Sequence, residues 1–132
     1  MKQFTQTTEI EEQIGKQVIQ SCYNVHSGLG PGLLERVYET CLIHELKKCG
    51  LYVSEQVLIP IKYDGIILED HLRLDLLVND LVIIELKAVE ALHPVHKAQL
   101  ISYLKLTNLN LGFLINFNVP TLKEGISRIR RN

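Results

Sequence analysis

The run Leu81-Val82-Ile83-Ile84-Glu85-Leu86-Lys87-Ala88 constrains this chain more than any other segment. It is rich in Val, Ile and Leu, as a central, doubly covered strand should be, yet Glu85 and Lys87 break it. Ionised side chains are rarely fully buried unless paired or bound to a metal, because isolated burial costs several kcal/mol even after the protein relaxes. Glu85 and Lys87 are two residues apart, so in a strand they project from one face. Asp75 stands in the same predicament among Leu72, Leu74, Leu76, Leu77 and Val78. A cation held by the two carboxylates, with the Lys87 ammonium beside it, removes the electrostatic problem and creates chemistry at once.

That chemistry is expected to be phosphodiester hydrolysis. Hard Mg²⁺ prefers oxygen ligands and keeps several waters, so Asp75, Glu85 and the Leu86 carbonyl form a suitable donor set, with Mn²⁺ as a substitute. Lys87 can orient a water or stabilise charge developing on the phosphate. Taken alone, a D…ExK pattern is weak, and a surface Glu85–Lys87 pair at a strand end is the bland alternative.

Register supplies a check. If Asn79-Asp80 formed a strict two-residue hairpin, Asp75 would face Ile84, and Glu85 would point to the other side of the sheet. A three- or five-residue connection, or one bulge, restores the parity, so an irregular connection is expected there.

The remaining elements follow from periodicity and punctuation. Thr8 and Glu11 make a capping box, and Ile10, Ile14, Val18, Cys22 and Val25 predict a helix to about Asn24. His26 to Gly30 reads as a loop, and Pro31 to Cys49 as a second helix stopped by Gly50. Val53 to Lys62 alternates as a strand, with Pro60 marking an edge, and Asp64-Gly65 turns it into a second strand, Ile66 to Val78. Leu81 to Ala88 is the third strand. Pro94 to Thr107 is helical, Leu111 to Asn116 is a fourth strand, and the capping-box spacing of Thr121 and Glu124 predicts a terminal helix. The expectation is one α/β domain over residues 1–132: a mixed four-stranded sheet flanked by helices, with α-β-β-β-α-β at its centre and an extra helix at each end.

Composition narrows the function classes. Lys plus Arg number 14 against 15 Asp plus Glu, so no global field attracts a polyanion, and the basic tail of Lys123, Arg128, Arg130 and Arg131 is the one obvious local patch. No apolar run approaches the roughly 18 residues of a membrane span, and the N-terminus lacks a secretory signal, which points to a cytoplasmic protein without a membrane partner. Cys22, Cys41 and Cys49 have no CxxC spacing and read as free thiols, the first two buried. A zinc site at His93 and His96 lacks a third ligand, and Gly28, Gly30 and Gly32 lack the strand and Lys of a phosphate loop, so neither is adopted.

On the helix after the ExK strand, Gln99 and Tyr103 share a face, with His96 one turn earlier. Gln99 suits a phosphate or a metal-bound water, and Tyr103 a phosphate oxygen or Lys87; a solvent-facing helix edge is the alternative. Glu35 sits near the start of the second helix, where the helix dipole stabilises a carboxylate.

Gly32-Leu33-Leu34-Glu35-Arg36-Val37-Tyr38 fits a GxxExxY pattern, and LRLDLLV, IIELKAVE, HKAQLISYLKL and LGFLINF continue it. From about Ile10 to Arg130 the chain resembles the GxxExxY family of bacteria and archaea, which is assigned to the PD-(D/E)xK nuclease superfamily with its restriction-endonuclease-like core. The resemblance implies Glu35 as the helix glutamate of the site, Asp75 and Glu85 as metal ligands, Lys87 as the catalytic lysine, and Gln99 with Tyr103 as a QxxxY element. Leu74 replaces the superfamily's proline. The implied function is metal-dependent cleavage of nucleic acid, DNA ahead of RNA. The alternative is a silent nucleic-acid- or protein-binding module on the same fold, acting as a homodimer.

Overall fold

The capping box at the start of the first helix forms as the sequence announces. Thr8 Oγ1 accepts from the Glu11 N–H at 3.1 Å, and the Glu11 carboxylate accepts from the Thr8 N–H at 2.7 Å. Helix α1 (Glu9–Leu29) then runs beyond Asn24, because Val25 is buried and His26 Nε2 meets the Val119 carbonyl at 2.8 Å. These contacts belong to a computed structural model that describes residues 6–132; the part of the signal-sequence reading that concerns residues 1–5 lies outside the described residues.

Helix α2 (Glu35–Lys48) begins at Glu35 instead of Pro31, since Gly32 adopts φ 94°, outside any helix and open only to glycine without strain. Strands β1 (Val53–Tyr63) and β2 (Ile66–Val78) form a long antiparallel hairpin turning at Asp64-Gly65. Strand β3 (Val82–Lys87) pairs antiparallel with β2, and helix α3 (Pro94–Thr107) carries the chain across to β4 (Leu111–Asn116), which lies parallel to β3. A short 3-10 turn (Leu122–Gly125) leads into β5 (Ile126–Arg130), antiparallel to β4. The sheet is mixed, in the order β1-β2-β3-β4-β5.

The terminal helix expected from Thr121 is therefore replaced by a fifth strand. All six residues of β4 are buried, so its outer main-chain groups need partners that water cannot supply, and β5 provides them. This tertiary demand outweighs the helical spacing of Leu122, Ile126 and Ile129. The basic tail is partly consumed as well: Arg128 grips the Glu12 carboxylate with two bonds, at 3.0 and 2.6 Å, and Arg131 bonds the Leu109 carbonyl and Asn110 Oδ1.

One sheet face is covered by α1 and α2 through Ile14, Val18, Leu42, Leu46, Ile84 and Phe113; the other is covered by α3 through Leu100, Leu104, Ile83 and Leu114. Burial on both faces is what makes β3 and β4 nearly continuous apolar runs. The cysteines are free: Cys22 is buried, Cys41 half-buried and Cys49 exposed, so the expectation of burial holds for the first and only in part for the second. No helix among the described residues is long and apolar enough to cross a membrane.

Gly125 packs so tightly that an added Cβ would lie 2.1 Å from the Asn116 carbonyl oxygen. Gly125→Ala should cost at least about 1–3 kcal/mol in a urea titration; an unchanged midpoint would contradict this packing.

Candidate active centre

The β2–β3 connection decides whether a site exists. Asn79 and Asp80 both take left-handed backbone, at φ 51° and 56°, and the Leu81 N–H donates to the Val78 carbonyl at 2.9 Å. Pairing resumes at Val78 opposite Val82, so three residues separate the strands and Leu81 is the extra one. Continued by one step, this register brings Asp75 opposite Glu85, the pairing that a strict two-residue turn would have denied.

At that point the ladder stops. Regular pairing ends with Leu76 and Ile84, and the next main-chain donors turn to side chains instead. The Asp75 N–H donates to Glu85 Oε2 at 2.8 Å, while the Leu86 N–H donates to Asp75 Oδ2 at 2.9 Å. Each carboxylate therefore closes the other strand's frayed end and has a second oxygen to offer. A strand residue directs its N–H and C=O to the same neighbour, so the Leu86 carbonyl faces this fork too. The Lys87 carbonyl confirms the alternation by accepting from the Phe117 N–H on the β4 side, at 3.0 Å.

Glu85 is only 4% exposed. Burial, then the Asp75 charge, pushes its carboxyl up to about 8, against partial relief from the Asp75 N–H and Lys87. Glu35 opens α2 at the same centre: partial desolvation and then Asp75 raise its carboxyl, while Lys87 opposes them. Tyr103, half-buried on α3, has its hydroxyl pushed up by desolvation and by Glu85 and Asp75. His96 is lowered by desolvation and by the Lys87 charge. Gln99 is exposed and lies between His96 and Tyr103 on that helical face. The fold thus brings Glu35 and Glu85 within electrostatic reach of each other and of Asp75 and Lys87, and Tyr103 within reach of Asp75 and Glu85, while Gln99 is placed only by its helical spacing from Tyr103.

The Gly–Glu–Tyr spacing has a mechanical reading. Tyr38 is fully buried and stacked on Phe117 at 4.7 Å; its hydroxyl donates to the Gly30 carbonyl at 2.6 Å and accepts from the Leu33 N–H at 3.0 Å. The loop that Gly32 turns is thereby tied to the first turn of α2, which holds Glu35 at the helix start.

Two residues escaped the sequence reading. Glu39 lies one turn after Glu35, accepts from Gln56 Nε2 at 3.0 Å, and has its carboxyl raised by desolvation against that bond. Arg73, two residues before Asp75, lowers Glu35, Glu39 and Tyr103 together. Spacing from Glu35 and Asp75 was the available signal for both.

Among the described residues, no three His, Cys, Asp or Glu side chains converge to cage a metal by themselves. Mg²⁺ asks for less: one or two carboxylates, a carbonyl and retained waters. The donor set of Asp75, Glu85 and the Leu86 carbonyl fits that demand. Hollows of about 700 Å³ between α1 and α2 and about 460 Å³ beside Leu92, Pro94 and Ile101 lie elsewhere. Neither is lined by the opposed carboxylates, and chemistry is a better guide here than volume.

A family model of the PD-(D/E)XK nuclease superfamily matches residues 12–129. The chain belongs to this superfamily. The crystal structure of SSO0001 is similar in fold, with a TM-score of 0.50 and 23% identity, over 92% of this chain and 59% of that one. This chain spans about three-fifths of that protein's length. None of the curated proteins compared matches it. The mixed sheet between helices accords with a restriction-endonuclease-like fold in this superfamily.

Two outcomes follow. A carboxyl raised in the fold favours folding when protonated, so the Glu85 contribution is complete below about pH 4.5 and is lost as pH rises through about 8. In chelator, Glu85→Gln should melt above the parent at pH 8 and close to it at pH 4.5; equal melting at both pH values would contradict the burial argument. Tyr38→Phe should cost about 1–3 kcal/mol in a urea titration, because it strands the Gly30 carbonyl and the Leu33 N–H; a neutral effect would remove the loop tie.

Proposed function

We propose that this chain is a Mg²⁺-dependent nuclease, with Mn²⁺ able to substitute, that hydrolyses phosphodiester bonds in DNA ahead of RNA. The observation that carries the reading is the reciprocal bonding of Asp75 and Glu85 across an opened strand pair. Superfamily membership supports it, and the sequence blocks that resemble the GxxExxY family favour that finer branch.

In this reading Asp75, Glu85 and the Leu86 carbonyl hold the cation. When bound, it acidifies a coordinated water and draws charge from a phosphate oxygen. Lys87, on the Glu85 face, holds the attacking water or donates to the phosphate as its charge grows. The raised Tyr103 hydroxyl keeps its proton at neutral pH and donates to a phosphate oxygen. Gln99 binds the flanking phosphate or a water. Glu35 would accept a hydrogen bond from a water beside this site and orient it. The whole chain acts as one domain, and its free thiols suit the reducing cytoplasm.

The near balance of 14 basic and 15 acidic residues favours the second reading, a binding module without catalysis, since backbone binding draws on several Lys or Arg contacts. Purified protein with single- and double-stranded DNA and RNA separates the two. Cleavage should require Mg²⁺ or Mn²⁺, stop with chelator, and fall on the order of 100-fold or more in Asp75→Ala and in Lys87→Ala. Cutting that survives both substitutions, or binding without any metal-dependent cutting, would overturn the enzymatic reading.

A further inference from the structure

The β1–β2 hairpin outgrows the sheet that carries it. Strand β2 runs from Ile66 to Val78, but β3 pairs only with Leu76, Leu77 and Val78. The outer ribbon, from about Ile61 to Asp70, has a free strand edge on each side, and a two-stranded ribbon alone is marginal in water. Its tip is apolar on both faces. Tyr63 and Ile66 are cross-strand partners, as are Lys62 and Ile67, so adjacent pairs point to opposite sides. Tyr63 is 73%, Ile66 58% and Ile67 67% exposed. A groove of about 350 Å³ lies beside the inner ribbon, with Ile59, Leu74, Leu77 and Leu106 as its apolar lining and both Lys62 and Asp80 on its wall.

We propose that the outer hairpin is a dimerisation arm whose apolar tip enters this groove on a second copy of the chain. A two-fold axis lets each copy give its tip and receive the other's at once. Asp64 at the tip and Lys62 at the groove form no ion pair within the described chain, and insertion brings Asp64 of each copy to Lys62 of the other, in a groove that Asp80 keeps near neutral. With Glu69 and Asp70, the outer ribbon has three acidic residues against Lys62, which opposes a nucleic-acid phosphate backbone. Covering Tyr63, Ile66, Ile67 and the groove on two copies removes roughly 1,000 Å² from water, at the low end of specific interfaces. This inference is independent of catalysis.

Sedimentation equilibrium of the full chain, alone and at micromolar concentration, is the test. The parent should be a dimer and Tyr63→Asp a monomer with unchanged circular dichroism and melting. K62D and D64K should each weaken the dimer by up to about fivefold, and the two together in one chain should restore it. Hydrogen exchange should show arm amides of the parent protected as concentration rises. A monomeric parent, a Tyr63→Asp dimer as tight as the parent, or arm protection that appears only with added DNA would each overturn the proposal.

Discussion

Two carboxylates that each cap the other strand's broken ladder are the interaction on which this structure turns. Asp75 and Glu85 face one another where main-chain pairing gives out, and each accepts an N–H from the opposite strand. An ordinary antiparallel pair would have used those donors on carbonyls and left no opening. Here the opening exists because side chains satisfy the donors, which leaves carbonyl and carboxylate oxygens facing one small region. Without a cation, the arrangement is electrostatically uncomfortable: burial and mutual repulsion drive Glu85 towards its neutral form.

Everything nearby serves that fork. The left-handed Asn79 and Asp80, with Leu81 as the extra residue, set the parity that makes the two carboxylates neighbours. Gln56 takes φ 48° in β1 alongside Asp75, just where the hairpin departs from the sheet, and lends its amide to Glu39. Tyr38 ties down the loop ahead of α2, so Glu35 arrives on a rigid helix start. Asn116 takes both main-chain groups of Val89, pinning the chain just beyond Lys87. A site held by strand ends and a helix terminus keeps its geometry better than one built on loops.

The sequence made the centre legible because burying charge is costly and therefore conspicuous. Glu85 and Lys87 in an apolar strand, and the need for an irregular β2–β3 turn, could be read from spacing alone, and the resemblance then supplied Glu35's role. What stayed hidden depended on tertiary demand. The residues after Thr121 carry helical spacing, yet β4 needs a ladder partner and draws Ile126–Arg130 into a strand. Helix α1 outlasts Asn24 through His26, which finds its partner 93 residues away. Glu39 and Arg73 look like ordinary surface charges in sequence, marked only by their spacing from Glu35 and Asp75, until α2 and β2 bring them within reach of one another.

If two opposed carboxylates exist to share a cation, metal binding must depend on both of them. Calorimetric titration of Mn²⁺ into the chain, compared with Asp75→Asn and Glu85→Gln, measures this without reference to any substrate. The account predicts one site in the parent, weakened at least about tenfold, or 1.4 kcal/mol, by either substitution. A parent that binds no Mn²⁺, or two variants that bind it as the parent does, would contradict it.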